Sequence, residues 1–230
     1  GIQIYVDCNV SWNLNRQDEK INLHVIDYAS RKNMVECTVI DDVDFTARFD
    51  GSRWVVRWKW KDIKPILRNT VAQYKVSEED REEYFKELER WINNGWLVPV
   101  ERNKNGIIPL MCVKQEAKGK VRPVLDFREV NKFIHSHTMD TIAVSESLRK
   151  WRKMSGNCKI IDLKNAYLQI HVEKDLWEYQ RVFINDCPYQ LTRLGFGLAS
   201  APKIMNRILD FILETRSRNI SRNLDPRFFG

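Results

Sequence analysis

No apolar run in this chain approaches the roughly 20 residues that a membrane-spanning helix needs, and no signal peptide opens it. The five cysteines (Cys8, Cys37, Cys112, Cys158 and Cys187) are odd in number, lie far apart and include no C-x-x-C pair. That pattern argues against a disulfide scaffold or zinc knuckle and points to free thiols in a reducing compartment, cytoplasmic or nuclear. Asp50-Gly51-Ser52 lacks the Asp-Thr/Ser-Gly order of an aspartic protease, so protease activity is not expected. The chain begins with Gly1 rather than Met, which is read as an excised piece of something longer.

What is present fits a soluble globular protein. Hydrophobic residues make up 43% and charged residues 30%, enough for a real core in one large or two small domains. Lys and Arg number 38 against 31 Asp and Glu, a net charge of +7. That excess leans toward a polyanionic partner, and charge alone does not separate nucleic acid from an anionic membrane surface.

Residues 1–62 read as a small antiparallel β module. Ile2–Val6, Ile21–Val25, Val43–Ala47 and Trp54–Trp58 carry β-branched and aromatic residues with partial period-2 alternation, and Asp50-Gly51 is a hairpin signal. Asp41-Asp42 is a carboxylate pair that could bind a metal, but a polar turn explains it better. Residues 63–76, with Pro65, read as a linker. Ser77 then opens a helix, with Asp80 three positions on as a weak capping box, Tyr84, Phe85, Leu88, Trp91 and Ile92 on one face, and Gly95 at its end.

A two-stranded finger is expected next, with arms at Ile107–Gln115 and Val121–Phe127. Its second arm sorts by face, Val121, Pro123, Leu125 and Phe127 opposite Lys120, Arg122 and Asp126. The cationic tip (Lys114, Lys118, Lys120, Arg122) suits phosphate, and an edge kept soluble by lysines is an even alternative. A helix over 139–155, strands at Leu176–Ile184 and Tyr189–Leu194 joined through Asn185-Asp186, and a final helix with Ile204, Met205, Ile208, Leu209 and Ile212 inward complete the reading.

Two stretches carry candidate chemistry. In Lys159–Ile170 a short apolar strand leads to the single carboxylate Asp162, followed by a polar turn and the aromatic Tyr167; alone Asp162 reads as a turn residue, and a metal ion is the usual compensation for a buried one. Leu194–Pro202 holds Gly-x-Gly-x-x-Ser between a strand and a helix. A dinucleotide site is a weak reading, because the third glycine is missing, Pro202 sits in the turn and no acid ends a strand about 20 residues later. A turn that lets a base pair approach the backbone fits as well.

In order, Val121–Asn131 resembles the fingers motif of reverse transcriptases, Ile161–Gln169 their first palm motif and Arg193–Pro202 the next one. The wording is most similar to the polymerases of LTR retrotransposons, the BEL/Pao-like pol polyproteins, over roughly residues 70 to 212. The resemblance implies an α+β fold with a small antiparallel β module before an incomplete right-hand polymerase, fingers plus partial palm, over residues 77–230. It implies that Asp162, with the Leu163 carbonyl, holds Mg2+ (two ions in the complete palm, or Mn2+). Arg122 with Lys114 or Lys120 would grip the deoxynucleoside triphosphate, and Tyr167 would exclude a 2′-hydroxyl. Phe196, Gly197 and Pro202 would frame the base pair and template, while Arg128 and Asn131 anchor the finger. The implied partners are an RNA or DNA template with primer, deoxynucleotides and the remainder of the pol polyprotein, and no membrane. The Tyr-x-Asp-Asp motif is absent: residues 216–230 hold one acid, Asp225, followed by Pro226. The chain is therefore expected to be truncated or divergent after about residue 212 and inactive alone, or to be a non-catalytic nucleic-acid-binding remnant or domesticated retroelement protein.

Overall fold

The computed structural model describes residues 2–7, 38–101, 106–115, 119–135 and 158–223, with residues 2–7, 158–162 and 215–223 described as backbone. The expected strand Ile21–Val25, the expected helix over 139–155, Lys118 and Asp225-Pro226 lie outside them. The architecture is mixed α and β, with small and mostly antiparallel sheets.

β1 (Ile2–Asp7) pairs with β8 (Cys158–Leu163), setting Gln3 opposite Asp162. β2 (Thr38–Asp41), β3 (Phe45–Phe49) and β4 (Trp54–Trp58) form an antiparallel meander. Alternation drives it: Phe45, Ala47 and Phe49 are buried along β3 with Thr46 and Arg48 half-buried between them. Gly51 (φ +90°) makes the β3–β4 turn, and Asp50 accepts hydrogen bonds from the Ser52 amide and hydroxyl and from Arg53. Burial pushes the Asp50 carboxyl up, but those donors outweigh it and bring its pKa down to about 2. β3 starts at Phe45 rather than at Val43, which is exposed in the preceding turn.

The expected boundary near residue 62 is crossed by this sheet. β9 (His171–Val172) adds to β4 in parallel as its fourth strand. Trp60 packs at a tilt on Tyr179, ring centroids 4.6 Å apart, and Trp54 meets Phe211 edge-on at 5.8 Å, so one hydrophobic cluster runs through both parts of the chain. Residues expected to be a linker are packed as well. Leu67 and Val76 are buried, and the Leu67, Asn69 and Ala72 carbonyls accept from the amides of Gly106, Ile107 and Leu110.

α1 (Glu78–Asn93) starts where the sequence places it, with Ser77 as N-cap accepting from the Asp80 amide, and Gly95 (φ +66°) follows its end. Its buried face (Tyr84, Leu88, Trp91) packs on the finger hairpin, β6 (Leu110–Gln115) and β7 (Lys120–Leu125). Asp126, which alternation groups with Lys120 and Arg122, is not exposed as they are. It is buried, because Arg128 clasps it at 2.5–2.9 Å and the Tyr74 hydroxyl donates to it at 3.0 Å. A short helical turn, α2 (Arg128–Asn131), closes the finger's base.

β5 (Leu97–Pro99), β10 (Arg181–Ile184) and β11 (Cys187–Leu191) form a three-stranded sheet, turned at Asn185 and Asp186, both with positive φ. The expected strand from Leu176 is corrected: Lys174–Gln180 is a 3-10 helix, whose spacing buries Leu176, Tyr179 and Gln180 together. The other expected strand ends at Leu191, after which the Thr192 amide bonds to Trp96 and its carbonyl to Val172. α3 (Ala201–Asn223) buries Ile204, Met205, Ile208, Leu209 and Ile212, and its backbone continues through residues 216–223, past Ile212, the last inward residue expected of this helix.

Lys203 of α3 inserts its ammonium between Asp42, at 2.7 Å, and Asp44, the latter's side chain 3% exposed, with Arg207 beside Asp42. Burial raises the Asp42 carboxyl, and the Lys203 and Asp44 hydrogen bonds together with Arg207 outweigh it, leaving it below its ordinary value. Lys203 itself is raised by the two carboxylates against the effect of burial. Lys203→Met should cost about 3 kcal/mol in urea unfolding, the low end for breaking a buried pair. A depressed carboxyl stabilises above its unfolded value and a raised amine below its own. The pair's contribution is therefore full between about pH 4 and 10, lost as pH falls below the first limit and lost again above the second, and a pH series of unfolding midpoints checks this.

Candidate functional site

The finger register separates the cations that the sequence grouped. Val113 lies opposite Arg122 and Gln115 opposite Lys120, so these four share one face. Lys114 lies opposite Val121 on the core-facing side, and at the tip it reaches the first turn of α1, 3.3 Å from Asp80 and 3.7 Å from Glu79. Those carboxylates raise its pKa, Asp80 first. Lys120 and Arg122 are exposed and have no ion pair among the described residues. The structure thus brings Lys120 and Arg122 together and turns Lys114 away from them.

The Gly-Phe-Gly turn is where the three motif stretches meet. From the finger's base, the Asn131 side-chain amide donates to the Gly197 carbonyl at 3.0 Å and accepts from the Ala199 amide at 2.8 Å. Gly195 lies so close under the Phe127 ring, and 2.7 Å from Gln180 Oε1 at its would-be Cβ, that no side chain fits. Gly197 needs its glycine for another reason: its φ is +105° and a Cβ would sit 3.1 Å from the Leu125 carbonyl. From the palm stretch, β8 ends at Leu163, Asn165 turns the chain at φ +51°, and Tyr167 opens a 3-10 turn (Tyr167–Gln169). The Tyr167 ring meets Phe196 edge-on at 5.5 Å, and burial pushes its hydroxyl pKa up. Phe196 remains 52% exposed. Pro202 is in the first turn of α3 rather than in the glycine turn, a position where its missing N–H leaves no helical bond unmade.

Asp162 and Leu163 end β8; Leu163 is buried and the Asp162 side chain is not described. Among the described residues no group of three or more His, Cys, Asp or Glu could hold a metal ion. Asp41 and Asp42 do not form such a site, since Lys59 pairs with Asp41 at 2.8 Å and Lys203 with Asp42. No described helix is long and apolar enough to cross a membrane. Sequence reasoning missed Gln180, the Phe127 ring over Gly195 and the Lys203 clasp. Only Phe127 had a signal, its place in the apolar alternation of the second finger arm.

No protein-family model matches the chain. Curated relatives do. The Gag-Pol polyprotein of koala retrovirus is 33% identical over 115 residues, covering 48% of this chain and 6% of that protein. The chain is similar to part of a pol polyprotein. The retrovirus-related Pol polyprotein from transposon opus of Drosophila melanogaster is 28% identical over 139 residues (58% of this chain, 13% of the relative), and the enzymatic polyprotein of figwort mosaic virus 24% over 155 residues (64% and 22%). The chain therefore spans only a fraction of the length of the relatives it matches. Among solved structures, prototype foamy virus protease-reverse transcriptase aligns over 66% of this chain and 20% of its own, with a TM-score of 0.49 and 19% identity.

The two glycines of different origin predict different costs. Gly195→Ala forces the Phe127 ring and Gln180 apart and should lower stability by about 2 kcal/mol, within the usual range for overpacking. Gly51→Ala meets no atom within 4 Å and carries only the positive-φ strain, about 1 kcal/mol. Denaturation midpoints of the two variants should fall in that order.

Proposed function

We propose that residues 77–230 are the fingers and the first part of the palm of an RNA-directed DNA polymerase of the BEL/Pao retrotransposon kind, adding deoxynucleotides to a primer 3′-hydroxyl. The observation that carries this reading is the convergence on one turn of two stretches distant from it and from each other in sequence: the finger's base, with Phe127 over the first glycine and Asn131 at the exit, and the palm stretch, with Tyr167 against the phenylalanine. Similarity to retroviral and retrotransposon pol polyproteins supports it. In this reading the exposed Phe196 ring and the side-chain-free backbone at Gly197 frame the nascent base pair, Pro202 lies beside the template, and the Tyr167 ring lies under the sugar. Arg122 and Lys120 hold the triphosphate, since they share an exposed face and Lys114 is engaged with Asp80. The work is cytoplasmic or nuclear, on a primed RNA or DNA template, within a larger pol protein.

Mg2+, or Mn2+, would be held by Asp162 with the Leu163 carbonyl, and when bound it supplies charge stabilisation for the attacking 3′-oxygen and the leaving pyrophosphate. One carboxylate does not hold two such ions, and residues 1–230 contain no Tyr-x-Asp-Asp sequence to complete the set. Primer extension by this chain alone is accordingly expected to be absent or trace. The same observation favours a second reading, a protein that binds primed nucleic acid without chemistry.

Fluorescence anisotropy with a primer–template, Mg2+ and one deoxynucleoside triphosphate separates the two. If the polymerase reading holds, Arg122→Gln and Lys120→Gln leave affinity for the primer–template within about twofold. They abolish the tightening caused by the nucleotide complementary to the next template base. If both cations contact template phosphates instead, each substitution weakens binding without nucleotide and lowers the salt slope by about one. Absence of binding to any primer–template at low salt overturns both readings.

A further inference from the structure

Gln180, the last residue of the 3-10 segment, is completely buried, and its carboxamide faces the turn rather than its own helix. Its Nε2 donates to the Leu191 carbonyl at 3.0 Å and to the Arg193 carbonyl at 2.8 Å, while its Oε1 accepts from the Gly195 amide at 3.1 Å. Two carbonyls and one N–H around a single amide fix its orientation, because the reverse placement would set oxygen against oxygen. One side chain thus ties the end of β11 to the first residue of the Gly-Phe-Gly turn. The Phe127 ring covers Gly195 from the other direction, and Asn131 holds Gly197 and Ala199.

We infer that Gln180 is a positioning residue for base-pair selection, setting the height of Phe196 by fixing the backbone path from Arg193 through Gly195. The inference rests on the polymerase reading of the turn. Gln180 touches neither nucleotide nor template in that reading; it acts through the backbone. Phe196 projects from a peptide whose preceding amide is held by Gln180 and whose following residue is held by Asn131. A shift of either holder moves the exposed ring. The two carboxamides differ in what they anchor to: Asn131 ties the turn to the finger, and Gln180 ties it to the β10–β11 sheet. Loss of the Gln180 bonds also takes a buried partner from the Leu191 carbonyl and from the Gly195 amide, which favours a displaced turn over an unchanged one.

The test compares the full chain with Gln180→Met, which keeps volume without hydrogen bonds, and Gln180→Glu, which keeps the shape but cannot donate when ionised. The first readout is amide hydrogen exchange in the unsubstituted chain, which does not depend on a variant folding. The Gly195 amide should exchange about 100-fold more slowly than those of Phe196 and Gly197, and equal rates overturn the inference. The second is the ratio of primer–template affinity with complementary to that with non-complementary deoxynucleotide. It should fall about tenfold in both variants, while affinity without nucleotide changes by less than about twofold, since the basic finger face is untouched. An unchanged ratio in a Met variant that has lost protection at Gly195 overturns the role. Absence of any nucleotide dependence in the unsubstituted chain overturns the polymerase reading itself, and so is distinguishable from failure of Gln180 alone.

Discussion

Asn131 makes two hydrogen bonds in opposite senses to one turn, donating to Gly197 and accepting from Ala199, and much of the arrangement depends on that reciprocal contact. A carboxamide is suited to it, because it presents a donor and an acceptor from a single rigid plane. Asn131 sits on α2, which the buried Asp126 holds in place through Arg128, and Asp126 in turn is fixed by Tyr74 from the segment before α1. The Arg128 hydrogen bond is the main reason the Asp126 carboxyl lies below its ordinary pKa, with burial opposing it. The finger's base and the turn therefore form one connected polar unit, while its exposed face carries Lys120 and Arg122.

The upstream sheet has a comparable tie. β3 and β4 carry aromatic faces too large for a three-stranded meander to cover, and the fourth strand and α3 complete the burial. Lys203 then fixes the first turn of α3 to the β2–β3 connection. Because α3 starts directly after the glycine turn, the upstream sheet and the turn share a support although about 150 residues separate them in sequence. Surface pairs such as Arg57–Asp175 add to the same junction, each worth little by itself in water.

Local signals were legible wherever neighbours in sequence are neighbours in space. The Ser77 cap, the glycine after α1, the Asp50-Gly51 hairpin and the inward face of α3 all follow from spacing and turn chemistry. Local reasoning failed where a distant partner changed the meaning of a residue. Asp126 sorted with Lys120 and Arg122 on the polar face of the second finger arm until Arg128 and Tyr74 enclosed it, and Leu176 to Gln180 looked like strand until its side chains were needed three apart against the core. Lys114 looked like its neighbours Lys120 and Arg122 because charge carries no record of which strand face it occupies.

The amino-acid sequence by itself determined the Ser77-capped helix, the Asp50-Gly51 hairpin, the order of the three motif stretches and the lack of a Tyr-x-Asp-Asp sequence within residues 1–230, since each depends on residue type and local spacing. Only the tertiary structure decided that those stretches converge on the Gly-Phe-Gly turn, that Lys114 faces away from Arg122, and that Gln180 holds Gly195. Those outcomes depend on strand register and on hydrogen bonds between residues 15 to 68 positions apart, for which no local pattern exists.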